Sequence, residues 1–180
     1  MLYSIFTLII DTVAGVLAGI LLLRFWMQAI QVRPPSSIAQ FMFKLTDWLV
    51  KPLRRLLPGV GGYDWASLVG AFLVALLAIS AQAWMMSHFS LQTVLLLAVL
   101  QLLQWVLYGF MALILIEVIF SWVNPHAPLA PLVRALTDPL MRPLRRIVPL
   151  IGNIDLSPLV AFILLRIALY LVNALILPLA

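Results

Sequence analysis

Four stretches of this chain are each long enough and apolar enough to cross a lipid bilayer as a helix. They cover about residues 5–30, 65–86, 93–123 and 156–177. A membrane-spanning helix needs about 20 mostly apolar residues, because in hydrocarbon the backbone must satisfy its own hydrogen bonds. Hydrophobic residues make up 65% of the 180 positions, and charged residues only 9%. The sequence therefore predicts an all-α membrane protein with four transmembrane helices.

Basic residues are concentrated in two of the three connections between these stretches. Nine of the eleven Lys and Arg residues lie between the first and second or between the third and fourth stretch, and none lies between the second and third. Short connections rich in Lys and Arg stay in the cytoplasm. We therefore expect a multi-pass protein of the bacterial cell inner membrane, with both basic loops in the cytoplasm and both termini in the periplasm.

The two halves of the chain repeat one sequence unit. Residues 46–64 read TDWLVKPLRRLLPGVGGYD and residues 137–155 read TDPLMRPLRRIVPLIGNID, at a constant offset of 91 positions. The chain is therefore predicted to contain two repeats, residues 1–90 and 91–180, each built as span, basic loop and span. Because each repeat has two spans, both copies insert in the same orientation, as in parallel repeats.

The repeated segment resembles the signature of a known family. Residues 137–158, TDPLMRPLRRIVPLIGNIDLSP, are similar to the signature of the YggT family, also called YlmG. The first repeat departs from this signature. It has Trp48 at the position of Pro139, and Ala66-Ser67 at the position of Ser157-Pro158. The resemblance covers nearly the whole chain and implies a small bacterial inner-membrane or plastid protein. It also implies a part in membrane organisation, division, cofactor assembly or osmotic tolerance, without an agreed biochemical activity.

Both basic loops are predicted to contain short amphipathic helices that lie at the membrane interface. In the first loop, Lys44, Asp47 and Lys51 recur at helical spacing on a polar stripe, and Phe41 and Trp48 fall on the apolar side. Such a helix suits the headgroup region, and Trp is favoured at this depth. A shorter apolar stripe runs through the second loop.

Three aspartates are predicted to cap helices. Asp64 and Asp155 stand immediately before the second and fourth spans, where a carboxylate accepts from free backbone N–H groups. In the second loop, Pro139 is expected to begin a new helix with Asp138 as its N-cap. A cation site formed by Asp64 and Asp155 about the pseudo-twofold axis is the alternative.

The cationic residues after each amphipathic helix have two interpretations. One is that they only determine topology, and the other is that they bind anionic lipid or an acidic partner protein. The sequence has no nucleic-acid-binding motif, so nucleic acid is not an expected partner. The candidate residues are Lys51, Arg54, Arg55, Arg142, Arg145 and Arg146.

Four ionisable residues fall inside the predicted spans, where each costs about 2.5–3.5 kcal/mol to insert. An offset of 93 positions aligns the first span with the third and places Arg24 and Glu117 at the same depth, so we predict an ion pair between them. Asp11 and Arg166 are predicted to form a second contact. These pairs are expected to lock the helix bundle or, alternatively, to line a conduction or transport path.

The sequence does not indicate an active site. Without Cys, disulfides and thiolate chemistry are excluded, and His88 and His126 are expected on opposite sides of the membrane. We therefore expect no enzymatic activity and no cofactor or metal. The leading hypothesis is a non-catalytic scaffold or assembly factor that binds partner inner-membrane proteins, or forms a homo-oligomer, and binds anionic lipid. The alternative is an osmolyte or ion transporter, or a subunit of one, involved in osmotic tolerance.

Overall fold

The structure is a computed structural model that describes residues 2–57, 59, 61–85, 90–149 and 155–179. These residues form helices and connections, without a β-strand. The helices are α1 (Leu2–Ala29), α2 (Ser36–Leu56), α3 (Trp65–Met85), α4 (Leu91–Val123), α5 (Ala130–Ile147) and α6 (Ser157–Ile176), and a short 3-10 helix (Leu177–Leu179) follows α6. Each repeat thus contributes a long helix, an amphipathic helix and a second long helix.

Four helices have the length and composition of membrane spans, which confirms the predicted fold class. They cover Ser4–Ala29, Trp65–Trp84, Leu91–Val123 and Ser157–Leu179. The chain is therefore a multi-pass membrane protein. By packing it divides into two compact units, residues 1–106 together with 172–180, and residues 107–171. The packing boundary differs from the repeat boundary, because the first half of α4 and the end of α6 belong to the first unit.

Small residues let α1 and α3 approach closely in the first repeat. Ala18 on α1 and Ala71 and Ala75 on α3 are fully buried, and Leu21 packs into the same core. Small residues at a helix interface allow the backbones of membrane helices to come into van der Waals contact. The close packing of α1 and α3 therefore follows from the residue sizes at their contact.

The second repeat has larger residues at the equivalent core positions. Its core contains Met111, Ile114, Leu165 and Leu169. Met111 stands where the first repeat has Ala18, and Leu169 stands where it has Ala78. The core between α4 and α6 is therefore built from bulkier side chains.

The two amphipathic helices bury equivalent faces. On α2 the buried residues are Met42, Thr46 and Val50, and on α5 the residues 91 positions later, Val133, Thr137 and Met141, are buried. Outside this buried face, the large apolar side chains Phe41 and Trp48 are exposed on α2. Each amphipathic helix thus packs one face on the spans and leaves its other apolar residues free to contact lipid.

The prediction that a new helix begins at Pro139, with Asp138 as its N-cap, is wrong. α5 runs without interruption through Pro139 and Pro143. A proline inside a helix removes one backbone donor but does not end the helix when the surrounding packing fixes it. Here the buried residues Thr137 and Met141 lie on either side of Pro139 and hold this turn against the core.

A left-handed residue ends α1 and directs the chain into α2. Gln31 has φ 57°, Gln31 N donates to Gln28 O at 3.1 Å, and Val32 N donates to Met27 O at 2.9 Å. This pattern is a Schellman motif, which satisfies the last carbonyls of a helix. It turns the chain back, so that α2 lies beside the end of α1.

Substitutions at Gly70 test how closely α2 packs on the spans. A Cβ at Gly70 would lie 3.4 Å from Leu49 Cδ2 and 3.6 Å from Leu21 Cδ2, which is ordinary contact, and the second repeat has Ala161 at this position. We expect Gly70→Ala to leave stability nearly unchanged and Gly70→Leu to lower it by about 1–3 kcal/mol through overpacking. Thermal unfolding of the purified protein measures both. Equal stability of the two variants would contradict this packing.

Candidate functional site

The last turns of α1 carry a buried cation that joins three helices. Arg24 is only 6% exposed, and its Nη1 donates to Thr46 Oγ1 at 2.7 Å and to Asp47 Oδ1 at 2.8 Å. Its Nε lies 3.3 Å from Asp64 Oδ2, and the ring of Phe43 lies 4.7 Å from the guanidinium. Arg24 therefore connects the end of α1 to the middle of α2 and to the residue before α3.

Asp64 is the shared acceptor of the first repeat. Arg54 donates to it through Nη2 at 2.6 Å and through Nε at 3.2 Å, and Ser67 Oγ donates at 2.7 Å. The turn that brings Asp64 back to α2 uses Gly61 and Gly62 at φ 69° and 83°, which glycine adopts without strain. A two-pronged guanidinium–carboxylate pair of this kind is strong and directional.

The hydrogen bonds keep these aspartates ionised. Burial by itself raises the pKa of Asp64, but hydrogen bonds from Arg54 and Ser67 outweigh it and hold that pKa below its ordinary value. The pKa of Asp47 is also lowered, because hydrogen bonds from Arg24 and Lys51 together outweigh its desolvation. The hydrogen bond to Asp64 in turn raises the pKa of Arg54.

The second repeat builds the same network around a residue of opposite charge. Glu117 occupies the position of Arg24, and it accepts from Arg145 Nη2 at 2.7 Å and from the hydroxyl of Thr137. Arg145 Nε donates to Asp155 Oδ2 at 3.1 Å, and Asp155 Oδ1 accepts from the backbone N–H of Ser157 at 2.9 Å. Hydrogen bonds from Ser157 and Arg145 lower the pKa of Asp155 against the opposing effect of its burial.

The first repeat has Arg24 where the second has Glu117, and this difference reverses the net charge of the network. Both networks keep the arginine of the amphipathic helix, the aspartate before the next span and a buried threonine. The first network contains three cations and two carboxylates, Arg24, Asp47, Lys51, Arg54 and Asp64. The second contains two cations and three carboxylates, Glu117, Asp138, Arg142, Arg145 and Asp155. The repeats are therefore alike in construction and opposite in excess charge.

Arg24 and Glu117 each form ion pairs inside their own repeat, Arg24 with Asp47 and Glu117 with Arg145. The physical reason is that α2 and α5 pack against the spans and bring opposite charges to hydrogen-bonding distance. The expectation overlooked the amphipathic helices as a source of partners for the intramembrane charges. An ion pair between Arg24 and Glu117 stays a prediction.

Asp11 has a hydrogen-bond partner inside the first repeat, and its contact with Arg166 stays a prediction. It accepts a hydrogen bond from Gln82 Nε2 at 2.7 Å, between α1 and α3. At the equivalent positions Gln104 donates to Asn173 at 2.7 Å, between α4 and α6. A polar link between the two spans thus recurs in both repeats. Arg166 lies exposed on α6.

The predicted cationic residues of the loops fall into three groups. Arg54 and Arg145 pair with the aspartates before the next spans. Lys51 and Arg142 pair along their own helices, at 3.0 Å with Asp47 and 2.6 Å with Asp138. The remaining two predicted residues are Arg55, near the end of α2, and Arg146, near the end of α5, and both are exposed.

The two predicted caps that precede spans act differently from each other. The backbone carbonyl of Asp64 accepts from Ser67 N at 2.9 Å, whereas its side chain binds Arg54 and the Ser67 hydroxyl. The side chain of Asp155 accepts directly from Ser157 N, the first residue of α6. Asp138 is inside α5 and pairs with Arg142.

The sequence reasoning missed the polar residues that complete the networks. Thr46 and Thr137 are fully buried and hydrogen-bond Arg24 and Glu117, and Ser67 supports Asp64. The repeat itself contained the signal, because a threonine precedes the aspartate in both copies. Two threonines recurring on the face of an amphipathic helix that packs inward indicate buried hydrogen bonds.

Within the described ranges, no group of three or more His, Asp or Glu side chains is arranged to hold a metal ion. His126 is exposed in the connection between α4 and α5, and its backbone N–H donates to Asn124 Oδ1 at 3.2 Å. His88, which was expected in the loop between the second and third spans, lies outside the residues that the structure describes.

Adjacent arginines provide a matched test of the networks. We expect Arg54→Gln to lower the free energy of unfolding by about 1–3 kcal/mol, because it removes two hydrogen bonds from buried Asp64. Arg55→Gln removes the same charge from an exposed position and is expected to cost less than about 0.5 kcal/mol. Thermal unfolding in one detergent measures the difference. The pair Arg145→Gln and Arg146→Gln repeats the test in the second half, and equal effects within both pairs would contradict the networks.

The sequence pattern of the CCB3/YggT family matches this chain twice, over residues 3–85 and 96–176. The chain is 35% identical to an uncharacterised protein of Pseudomonas aeruginosa over 88% of its own length and 83% of the relative. It is 33% identical to an uncharacterised Vibrio alginolyticus protein over 94% of both chains. It is 32% identical to the uncharacterised protein YggT of Escherichia coli, over 93% of this chain and 86% of that one. No solved structure matches it significantly.

Proposed function

Since this chain belongs to the CCB3/YggT family and carries two tandem copies of the family's unit, we propose that it is a non-catalytic scaffold or assembly factor of the bacterial inner membrane. One observation carries the proposal. In each repeat a buried ion-pair network fixes an amphipathic helix against the spans, and that helix keeps exposed cationic residues on its outer side. A helix held in this way presents a rigid surface to lipid and to partner membrane proteins.

The outer surface of α2 combines the two kinds of side chain that bind a membrane interface. Phe41 and Trp48 are 59% and 66% exposed, and Lys44 and Arg55 are exposed beside them. Exposed apolar side chains enter the headgroup region, and each basic residue near an anionic surface contributes about 1 kcal/mol. The α2 surface therefore fits anionic lipid or an acidic segment of a neighbouring protein.

The state of the carboxylates favours a structural role over proton transfer. Asp64 and Asp155 are bonded to arginines, and their pKa values are held below the ordinary value. A carboxyl that donates a proton near neutral pH needs a raised pKa. The network groups are thus suited to holding helices together, which supports a scaffold rather than an enzyme.

The proposed orientation places both amphipathic helices on the cytoplasmic side. Eight basic residues follow the ends of α1 and α4 in the stretches from Lys44 to Arg55 and from Arg134 to Arg146. Positively charged connections are retained in the cytoplasm. The termini and the connection between α3 and α4 then face the periplasm.

Single-cysteine labelling tests this orientation, because the natural chain has no Cys. We expect Ser90→Cys to react with a membrane-impermeant maleimide added to intact spheroplasts. Arg55→Cys is the matched variant and is expected to react only after the membrane is opened. The reverse pattern would contradict the proposed orientation and the cytoplasmic surface with it.

Neutralising the outer surface tests the scaffold function. The variant Lys44→Gln/Arg55→Gln/Arg146→Gln removes exposed charges that lie outside the ion-pair networks. We expect it to lose crosslinks to a stoichiometric membrane-protein partner and to lose enrichment of anionic lipid in native nanodiscs, with unchanged thermal stability. The charge-preserving variant Lys44→Arg/Arg55→Lys/Arg146→Lys is expected to retain both.

Transport is the competing function. A flux measurement in proteoliposomes decides between transport and the scaffold function. Proteoliposomes that contain the natural protein are expected to show no flux of osmolytes or monovalent ions above protein-free vesicles. A solute-specific flux that is lost in Arg24→Gln or Glu117→Gln, while the protein remains folded, would overturn the scaffold proposal and favour a transporter.

A further inference from the structure

A cavity of about 720 Å³ opens beside the ion-pair network of the first repeat. It lies between the end of α1, the turn that follows it and one side of α2. Its size is within the usual range for sites that bind small molecules or parts of larger ones. The charged residues that line it are four cations and one carboxylate, Arg24, Arg33, Lys51, Arg54 and Asp47.

The cavity keeps an excess of positive charge after the ion pairs are counted. Asp47 is bonded to Arg24 and Lys51, and Asp64, just outside the lining, is bonded to Arg54. Even with Asp64 included, four cations face two carboxylates. Arg33 and Lys51 are exposed, and although Lys51 pairs with Asp47, both cations can be reached by a ligand.

The apolar part of the lining is on one wall of the same cavity. Val32 and Pro34 contribute partly exposed apolar surface, and Phe43, which is 44% exposed, lies beside Arg24. A guanidinium binds phosphate oxygens with paired N–H donors, and an ammonium adds a point charge. An adjacent apolar wall suits the glycerol and first acyl carbons of a lipid more than it suits a free inorganic ion.

The equivalent cavity of the second repeat has the opposite charge. It measures about 1280 Å³, and its charged lining is two cations and three carboxylates, Arg134, Arg145, Glu117, Asp138 and Asp155. Glu117 replaces Arg24, and Arg134 stands where the first repeat has Phe43. An anion is attracted to the first cavity, whereas the second cavity repels it.

The position of the first cavity favours a lipid headgroup as the anion that binds there. The membrane span of α1 ends at Ala29, and the cavity is lined by Gln31, Val32 and Arg33 immediately beyond it. Trp48, which follows the lining residue Asp47 in the sequence, is exposed, and tryptophan is favoured at the membrane interface. The cavity is therefore at the depth of lipid headgroups.

We propose that the cavity of the first repeat binds the phosphate headgroup of one anionic phospholipid, and that the cavity of the second repeat does not. Arg24 and Arg54 supply positive charge to the cavity, the exposed Arg33 and Lys51 bind the phosphate, and the apolar residues of the lining contact the glycerol. This inference rests on the proposed lipid-binding function and assigns it to one specific site.

The test uses the full-length protein in phosphatidylcholine nanodiscs titrated with phosphatidylglycerol, with bound lipid counted by native mass spectrometry. We expect one saturable site. The variant Arg33→Gln/Lys51→Gln removes two exposed cations from the cavity and is expected to weaken this site about 30-fold. Both positions are exposed, so the fold is expected to be retained, and thermal unfolding verifies it.

The matched control removes the same amount of charge from the second repeat. Arg142 is the equivalent of Lys51, and Arg134 lines the second cavity. We expect Arg134→Gln/Arg142→Gln to change phosphatidylglycerol binding less than threefold. Equal weakening by both double variants would mean general surface attraction and would overturn the proposed site.

Two further titrations separate the sources of the anion. Inorganic phosphate alone and glycerol phosphate are expected to bind at least tenfold more weakly than phosphatidylglycerol. If either binds as tightly as the lipid, the site recognises a free phosphate compound and the lipid assignment is wrong.

The failure of this inference is distinguishable from the failure of the proposed function. If the natural protein crosslinks to no stoichiometric membrane-protein partner while the cavity variant loses the saturable lipid, the scaffold proposal falls and the site stands. If the outer-surface variant loses its partner while the cavity variant binds lipid normally, the site falls and the scaffold proposal stands.

Discussion

The ion pair between the amphipathic helix and the residue before the next span is the interaction on which each repeat depends. In the first repeat it joins Arg54 to Asp64, and in the second it joins Arg145 to Asp155. Without it, the amphipathic helix loses its link to the following span and is held by its buried face and by the hydrogen bonds of Thr46 or Thr137 to the preceding span. The pair fixes the position of the helix along the spans. It also neutralises a carboxylate that is expensive to bury alone.

Both repeats contain this ion pair, but the charged residue of the preceding span is Arg24 in the first repeat and Glu117 in the second. Arg24 needs two carboxylates around it, whereas Glu117 needs an arginine and a hydroxyl. The same helices accept either residue, because the amphipathic helix supplies both a carboxylate and a guanidinium about two turns apart. A duplicated unit can thus change the charge of its cavity by one substitution and keep its fold. The two cavities can thus carry opposite excess charge on the same fold.

Residue size adds a second difference between the repeats. Ala18 and Ala78 bring α1 and α3 together, while Met111 and Leu169 occupy the equivalent positions between α4 and α6. The larger cavity in the second repeat accompanies the bulkier core. Charge and volume therefore diverged together in two copies whose backbone pattern is the same.

The sequence by itself determined the four spans, the two amphipathic helices and the repeat, because hydrophobic length and periodicity are properties of local sequence. It also identified Arg24 and Glu117 as intramembrane charges that need partners, since burying an unpaired charge is costly. Only the tertiary structure decided which partners they have. The choice depends on where α2 and α5 pack, and that packing is set by side-chain fit between distant segments. For the same reason α5 continues through Pro139, where local preference predicted a boundary.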